Sequence, residues 1–444
     1  MTSSPPSQNG LLSRKASWEL LQSVASGSYA EVALERVYQK YSFSELDKGL
    51  VMELGYGSIR YRSLLDSWID FLGKVPALKQ PPLLRWLLHL GLYQILFMQK
   101  IPPSAAVHTT VELAKQSKIL KLSHVVNGIL RAAIRAKDAG KTPPTPFAFE
   151  AKLAQEQSLP LWLSKELVSW QGKDSAELIA QFFNQPPSID IRINRLKADS
   201  ETVCKMFLKV GIQSEYIDDC PYGLKIVSGQ GDLRKWPGYD DGLWSVQDRS
   251  AQWVSPLIEP KPGDKILDIC SAPGGKTSHL AELIGDFGEI WAVDRSETRL
   301  KKVAININRL GFNSIRFLHA DGTSLLSEMP HLKGYFKRIL LDAPCSGLGT
   351  LARNPDARWR VSPSMIKDMI SLQSRLLKSV IPLLSSDGRI VYSTCTIHPD
   401  ENINQIGNFL NLHSDFKLIQ EKQIWPGQNN QGDGFFAAVI DKTN

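Results

Sequence analysis

The C-terminal part of the chain carries short apolar runs that each end in a residue able to do chemistry. KILDI (265–269) leads into CSAPGGKT, Cys270 to Thr277, with Gly274 and Gly275 side by side. EIWAVD ends at Asp294, IRFLHAD at Asp321, RILLDA brings in Asp342, and GRIVYST runs into Cys395. Amphipathic helical stretches separate these runs, and such βαβα alternation predicts a parallel sheet with helices on both faces. Ligands of an open α/β sheet bind outside the carboxyl ends of its strands. One acid at a strand end means little, because acids also cap the next helix. Four polar or reactive ends in register read as a site.

The loop Cys270–Thr277 narrows the class of ligand. Two glycines let the backbone come close to a ligand, and the following helix N-terminus favours an anion or a carboxylate. A P-loop, GxxxxGK[ST], is excluded because Cys270 stands where its first glycine belongs, and the dinucleotide fingerprint GxGxxG is absent. What remains is a glycine turn followed about twenty residues later by an acid, Asp294, at the right place to bind ribose hydroxyls. A ribose acid without a pyrophosphate cradle suits S-adenosylmethionine. A purely structural glycine turn is the competing reading.

Two cysteine-bearing loops follow. DAPCSGLGT, Asp342 to Thr350, sets a proline directly after a strand and so fixes a sharp, exposed loop around Cys345. Beyond it, RNPDARWR supplies Arg353, Arg358, Trp359 and Arg360. Arginine grips phosphate and tryptophan stacks on bases, so this stretch is expected to contact RNA; a solvated loop with one packed Trp competes with that. YSTCTIHPDEN (392–402) places Cys395 at the last strand end. A lone free cysteine is most often simply buried, but Cys345 at the end of the neighbouring candidate strand shifts the balance toward chemistry. No CxxC pair supports zinc, and His279, His319, His331 and His398 are scattered, so no metal is expected.

The elements that must position these residues belong to a long chain. At 444 residues, two or three domains are expected. A composition with 43% hydrophobic and 22% charged residues is that of a soluble globular protein, and the net charge of +7 favours a polyanionic partner without requiring one. Five cysteines without a CxxC pair fit a reduced, cytoplasmic setting. The polar N-terminus shows no secretory signal. The most apolar stretch, Leu83 to Met98, contains Arg85, His89 and Gln94 and is shorter than the ~20 residues of a membrane span, so it reads as a buried helix and no membrane partner is expected. A monomer is the default. Residues 1–12 are expected to be disordered and 13–140 all-helical, with runs such as Trp18, Leu21 and Val24, or Val125, Ile129, Ala132 and Ala133. GKTPPTP (140–146) is a linker, and 147–255 is an α+β module with strands at Ile189–Lys197 and Tyr222–Val227. From 256 the α/β pattern takes over. Its best-marked helix starts at Ser362-Pro363, with Met365, Met369, Leu372, Leu376, Val380 and Leu383 as its inner stripe.

CSAPGGKT, DAPCSG, RNPDARW and STCTIHPDEN, in this order and spacing, resemble the RNA (cytosine-5) methyltransferase family. Gly91–Lys115 and Val126–Arg135 resemble a NusB-like domain. With RINRLK, GYDDGLWSVQDRSAQ and GDGFFAAVI, the chain is similar to the RsmB/Fmu (Sun/NOL/NOP) branch, which modifies small-subunit (16S) ribosomal RNA. The resemblance runs from about residue 13 to the end, departing at Ser271, where alanine is usual, and at GLGT after the PCS triplet. It implies a multidomain fold: an all-α NusB-like RNA-binding domain, a small α+β middle module and an α/β Rossmann-like methyltransferase domain. It implies S-adenosylmethionine, with Cys270, Ser271, Ala272, Pro273, Gly274, Gly275 and Lys276 around its methionine part, Asp294 at the ribose and Asp321 near the adenine. Cys395 is then the nucleophile toward cytosine C6, Cys345 assists release, and Asp342 binds the base, supported by Lys276. Three alternatives stay open. Another RNA such as tRNA could be the substrate. A DNA cytosine methyltransferase would instead use the cysteine of the PC loop, Cys345. A non-catalytic RNA-binding or assembly factor would leave the strand-end residues unexplained.

Overall fold

The structure is a computed structural model that describes residues 8–229, 231–428 and 432–443. Its N-terminal part, lacking any alternating pattern, winds into helices at Gln8–Ala25, Ala30–Lys40, Glu45–Arg60, Arg62–Leu72, Pro82–Phe97, Pro103–Lys115 and Ser123–Asp138. Ser44 caps the third by accepting from the Asp47 amide, and prolines occupy the first positions of the fifth and sixth. The helix Pro82–Phe97 is buried on nearly every side, which is why the most apolar stretch shows no polar face. Disorder expected over 1–12 is corrected for its second part, since residues 8–12 already belong to the first helix. Residues 1–7 lie outside the described residues.

Two further helices, Phe149–Glu156 and Leu161–Phe182, pack with this first unit, which comprises the described residues up to Gln185 together with Leu351–Arg360. The second unit comprises Pro186–Thr350 and the chain from Val361 onward. The stretch read as one middle module is therefore divided near residue 185, its first two helices in one unit and its strands, with the helix Ser200–Lys209, in the other.

The second unit opens with a small antiparallel sheet of β1 (Ile189–Ile193), β2 (Gln213–Ile217), β3 (Cys220–Ser228) and β4 (Trp244–Val246), in the order β2-β3-β1-β4. Ile191, Ile193, Phe207, Leu224 and Trp244 form its core. β1 stops four residues short of the expected Lys197. Asn194 turns the chain there, its side chain accepting from the Leu196 amide and donating to the Gly242 carbonyl.

The main sheet contains β5 (Lys265–Ile269), β6 (Glu289–Asp294), β7 (Ile315–His319), β8 (Phe336–Asp342), β9 (Leu384–Thr394), β10 (Phe416–Ile424) and β11 (Phe435–Lys442), in the order β10-β11-β9-β8-β5-β6-β7. β5 to β9 are parallel as expected, while the terminal pair runs antiparallel: β11 against β9 and β10 against β11. Side chains alternate faces along each strand. Ile266, Leu340 and Val391 meet the helices Gly275–Leu283 and Glu297–Leu310, whereas Leu267, Ile339, Leu341 and Ile390 meet Pro363–Val380 and Ile403–Leu412. Ser362 caps the helix Pro363–Val380 as expected, but its inner face is Ile366, Gln373, Leu376, Leu377 and Val380. Met365 is exposed and Leu383 lies in the next turn, so the stripe was read one residue out of phase at its start. Strand order reverses between β5 and β8, the switch point at which an open sheet offers a cleft.

Candidate active site

The loop after β5 is shaped by backbone demands at both ends. Cys270 takes a left-handed conformation (φ 63°), which costs a non-glycine residue on the order of 1 kcal/mol. The Ser271 amide donates to Val293 O (3.0 Å) and the Ala272 amide to the Asp294 carboxylate (3.2 Å), so the acid ending β6 holds the loop as well as facing the cleft. Gly274 has φ 96°, and a Cβ there would sit 2.7 Å from Val303 Cγ1. Both backbone and packing thus demand glycine at 274. Below the loop Asp268 is fully buried and accepts from Thr277 Oγ1 (2.6 Å); burial pushes its carboxyl up to about 7. Burial likewise pushes the Cys270 thiol up to about 12, which keeps it protonated.

On the other side of the switch point, β8 and β9 run in register with Asp342 opposite Ser393. Asp342 accepts from Lys276 Nζ through one oxygen (2.7 Å) and from Ser393 Oγ through the other (2.9 Å). The same ammonium lies 4.7 Å from the centre of the Phe435 ring. Just beyond the strands, the sulfurs of Cys345 and Cys395 stand 3.5 Å apart. The Cys345 thiol is held well above its ordinary range, first by its hydrogen bond with Cys395 and then by burial. The Cys345 thiol is therefore protonated, and either sulfur can donate to the other. Such a pair can offer a sulfur nucleophile beside a sulfur that carries or takes a proton. The acid–lysine pair can hydrogen-bond a planar heterocycle next to it.

A third group of residues line a cleft between these loops: Cys270, Asp294, Arg299, Asp321, Pro344 and Leu372 among them. Asp321 caps its own turn, accepting from the Thr323 amide (2.8 Å) and hydroxyl (2.7 Å), and these bonds hold its carboxyl below the ordinary range. Apolar walls suit a flat ring, and two carboxylates can accept from ribose hydroxyls, so the cleft has the groups that a nucleoside needs. Of the residues expected to hold S-adenosylmethionine, Cys270, Asp294 and Asp321 line this cleft, and their chemistry fits it.

The RNA-contact expectation for RNPDARWR meets a different placement. Arg358 is fully buried within the first unit and donates to the carbonyls of Arg60 (3.2 Å), Ser158 (3.2 Å), Phe183 (2.9 Å) and Leu351 (3.3 Å) and to Asn184 Oδ1 (3.0 Å). Trp359 Nε1 donates to Ile59 O (2.7 Å), and Arg360 pairs with Asp356 (2.5 Å) and lies over Tyr29. Both terminal nitrogens of Arg358, the Trp359 indole and one nitrogen of Arg360 are engaged by their own unit. That placement corrects the reading of Arg358 as a phosphate contact; the cause is an interior of helix-end carbonyls that need donors. Arg353 is half-buried.

Several site residues escaped the sequence reading. Glu401, fully buried, accepts from the Ser346 amide (2.8 Å), Ser346 Oγ (2.5 Å) and Gln373 Nε2 (3.0 Å), so it ties the Cys345 loop to the loop after Cys395. Gly349 donates to Cys395 O (3.1 Å) and accepts from Gly434 (2.8 Å); a Cβ on it would lie 2.0 Å from Gly434 O. Arg192 of β1, buried, donates to Glu282 (2.7 Å), Ser278 Oγ (2.8 Å) and Gly275 O (2.8 Å), clamping the helix that starts at the glycine turn. The only sequence signal for Glu401 was its place in HPDEN; for Arg192 there was an arginine inside an apolar strand. Among the described residues no group of three or more His, Cys, Asp and Glu side chains could hold a metal ion, and no helix is long and apolar enough to cross a membrane.

Comparison with known proteins adds three matches along the chain. A NusB family model matches residues 12–135, an RsmF/B-like methyltransferase ferredoxin-like domain model matches 159–231, and a 16S rRNA methyltransferase RsmB/F model matches 255–441. The chain is 41% identical to a probable ribosomal RNA small subunit methyltransferase B of Synechocystis sp., over 94% of this chain and 96% of that protein. It is 34% identical to the ribosomal RNA small subunit methyltransferase B of Escherichia coli O127:H6, over 95% of this chain and 96% of that protein. Among solved structures, the crystal structure of PH0851 is similar with a TM-score of 0.82 and 26% identity, covering all of both chains.

Proposed function

Because the chain belongs to the ribosomal RNA small subunit methyltransferase B family, we propose that it methylates C5 of a cytosine in small-subunit ribosomal RNA through a covalent bond between Cys395 and C6. The observation that carries this reading is the pair of sulfurs 3.5 Å apart beside the Lys276–Asp342 pair. Cytosine C5 is a poor nucleophile and needs covalent activation. Cys395 as thiolate adds to C6, and the electron pair moves to C5. Asp342 hydrogen-bonds the base while Lys276 offsets the charge that develops. S-adenosylmethionine, when bound in the cleft of Asp294 and Asp321, supplies the methyl group.

Release follows from the same geometry. The first cause that keeps Cys345 protonated is its hydrogen bond with Cys395. Once the Cys395 sulfur is bonded to carbon, it no longer shares that proton. Cys345 then loses its proton to solvent, takes the C5 proton, and the returning electron pair expels Cys395. The base must leave its stack or lie in a loop to reach the pair.

The test is transfer of label from S-adenosylmethionine to protein-free small-subunit ribosomal RNA, with the modified base mapped. Label at one cytosine C5 is the expected result; label only on another RNA would move the substrate. Cys395→Ala is expected to abolish turnover, and Cys345→Ala to trap a covalent RNA adduct. Full activity of the first, or clean product without adduct from the second, would overturn the assignment of roles.

A further inference from the structure

The second unit holds a cavity of about 500 Å³ that the reaction does not use, lined by residues around β1 and β3, by the segment 252–259 and by the helix that starts at Gly275. Its size is that of a small-ligand pocket. Its walls have a definite character. Trp253 and Tyr222 supply aromatic surface, and Lys422 Nζ lies 5.2 Å from the Trp253 ring. Arg195 stands over the Tyr222 ring at 5.2 Å, is exposed, and has no hydrogen bond or ion pair among the described residues. His279 is buried one helical turn beyond Gly275, and neither ring nitrogen has a partner among the described residues. Its Nδ1 is enclosed by protein, so a partner from the cavity would meet the ring at Nε2.

Nε2 is thus the nitrogen left open to a ligand in the cavity, and a hydrogen bond there contributes on the order of 1 kcal/mol. Burial, helped by the charges of Arg192 and Arg195, holds His279 well below its ordinary range. The ring is therefore neutral and able to accept from a base amine or donate to a base carbonyl according to tautomer. Of the acids at the cavity, Glu259 is paired with Arg389 (2.9 Å), while Asp219 is exposed at the rim. An unpaired arginine, two aromatic surfaces and a neutral histidine together form a recognition set for a single nucleotide: phosphate on the guanidinium, base on the rings, base edge at the imidazole.

We propose that this cavity is a second nucleotide pocket, holding an unpaired nucleotide of the RNA substrate away from the cytosine that is methylated. The proposal rests on RNA being the substrate. Its chemistry is shared with a free mononucleotide, and the experiment separates the two.

The full chain is irradiated with single-stranded RNA oligonucleotides carrying 4-thiouridine, and the adducts are mapped to peptides. An adduct on the peptides of Tyr222 or Trp253 is expected. Arg195→Ala and Tyr222→Ala, both at exposed side chains, are expected to weaken oligonucleotide binding on the order of tenfold while leaving S-adenosylmethionine affinity unchanged. Adducts confined to other peptides, or variant affinities within about twofold of the parent, would overturn the proposal. So would protection of these peptides by uridine monophosphate at the same concentration as the oligonucleotide, which would mark a free-nucleotide site. Crosslinking needs no turnover, so loss of methyl transfer with these adducts intact would count against the proposed reaction alone.

Discussion

Replacing Glu401 with glutamine separates a positioning role from a merely structural one. The carboxylate is fully buried and accepts three hydrogen bonds, two from Ser346 and one from Gln373. In Glu401→Gln one oxygen becomes an NH2 group, which either faces the Ser346 amide and Gln373 donors or makes Ser346 Oγ turn its proton to Thr396, and the charge is lost in both cases. Hydrogen bonds to a charged group contribute ~1.5–3 kcal/mol each, and a buried donor left unpaired costs ~1–3 kcal/mol. A loss of about 3 kcal/mol is expected, which for a domain of this size lowers Tm by roughly 6–12 °C. The catalytic effect should be selective. Ser346 is next to Cys345, whereas Cys395 directly follows β9, which is paired on both sides by β8 and β11. Loosening the Cys345 loop by ~1 Å is enough to cost on the order of a hundredfold in rate. Attack by Cys395 should continue while release slows, so a denaturant-stable protein–RNA adduct should accumulate on a gel, as for Cys345→Ala but to a smaller extent. A lower turnover without adduct, at a Tm lowered as expected, would refute the positioning role. An unchanged Tm would refute the energetic argument as well.

Two further perturbations test the interior. Asp268 has its carboxyl pushed up to about 7 by burial against an ordinary 3.8, so the folded state binds the proton more tightly than the unfolded state does. Stability should therefore fall as pH rises from about 4 to about 7 and then level, with a contribution of roughly 4 kcal/mol. Asp268→Asn should remove that slope in denaturant titrations across this window, and an identical slope in the variant would sink the assignment. Arg358→Met leaves the four carbonyls and Asn184 Oδ1 without their donor and should destabilise the chain by at least about 3 kcal/mol in thermal melts. The salt dependence of RNA affinity should not change, because this guanidinium reaches no phosphate. A slope reduced by about one in log–log form would restore it as a phosphate contact.

What was legible in the sequence is what depends on neighbours along the chain. The βαβα rhythm located β5 to β9, since strand ends are written by apolar runs stopping at Asp294, Asp342 or Thr394. The glycine turn was legible because the demand for a positive φ at Gly274 is local. β10 and β11 were missed for the opposite reason. β11 is buried along most of its length between two strands, so it shows no alternation, and β10 is an edge strand, largely exposed, with little apolar pattern at all.

The residues read wrongly or not at all are those whose meaning lies in a distant partner. Arg358 and Cys395 look alike in the sequence: each is a reactive side chain in a short polar loop. Their fates differ because Arg358 finds acceptors at residues 60, 158, 183 and 184, while Cys395 finds a second thiol fifty residues away at the end of an adjacent parallel strand. Register explains the second meeting. Once β8 and β9 pair with Asp342 opposite Ser393, the chains beyond them leave the sheet side by side, and cysteines three and two residues further on must approach each other. No comparable rule ties residue 358 to a helix end at 183. A cysteine pair at neighbouring parallel strand ends is therefore a stronger inference from sequence than an arginine-rich loop, because strand pairing constrains where its members go.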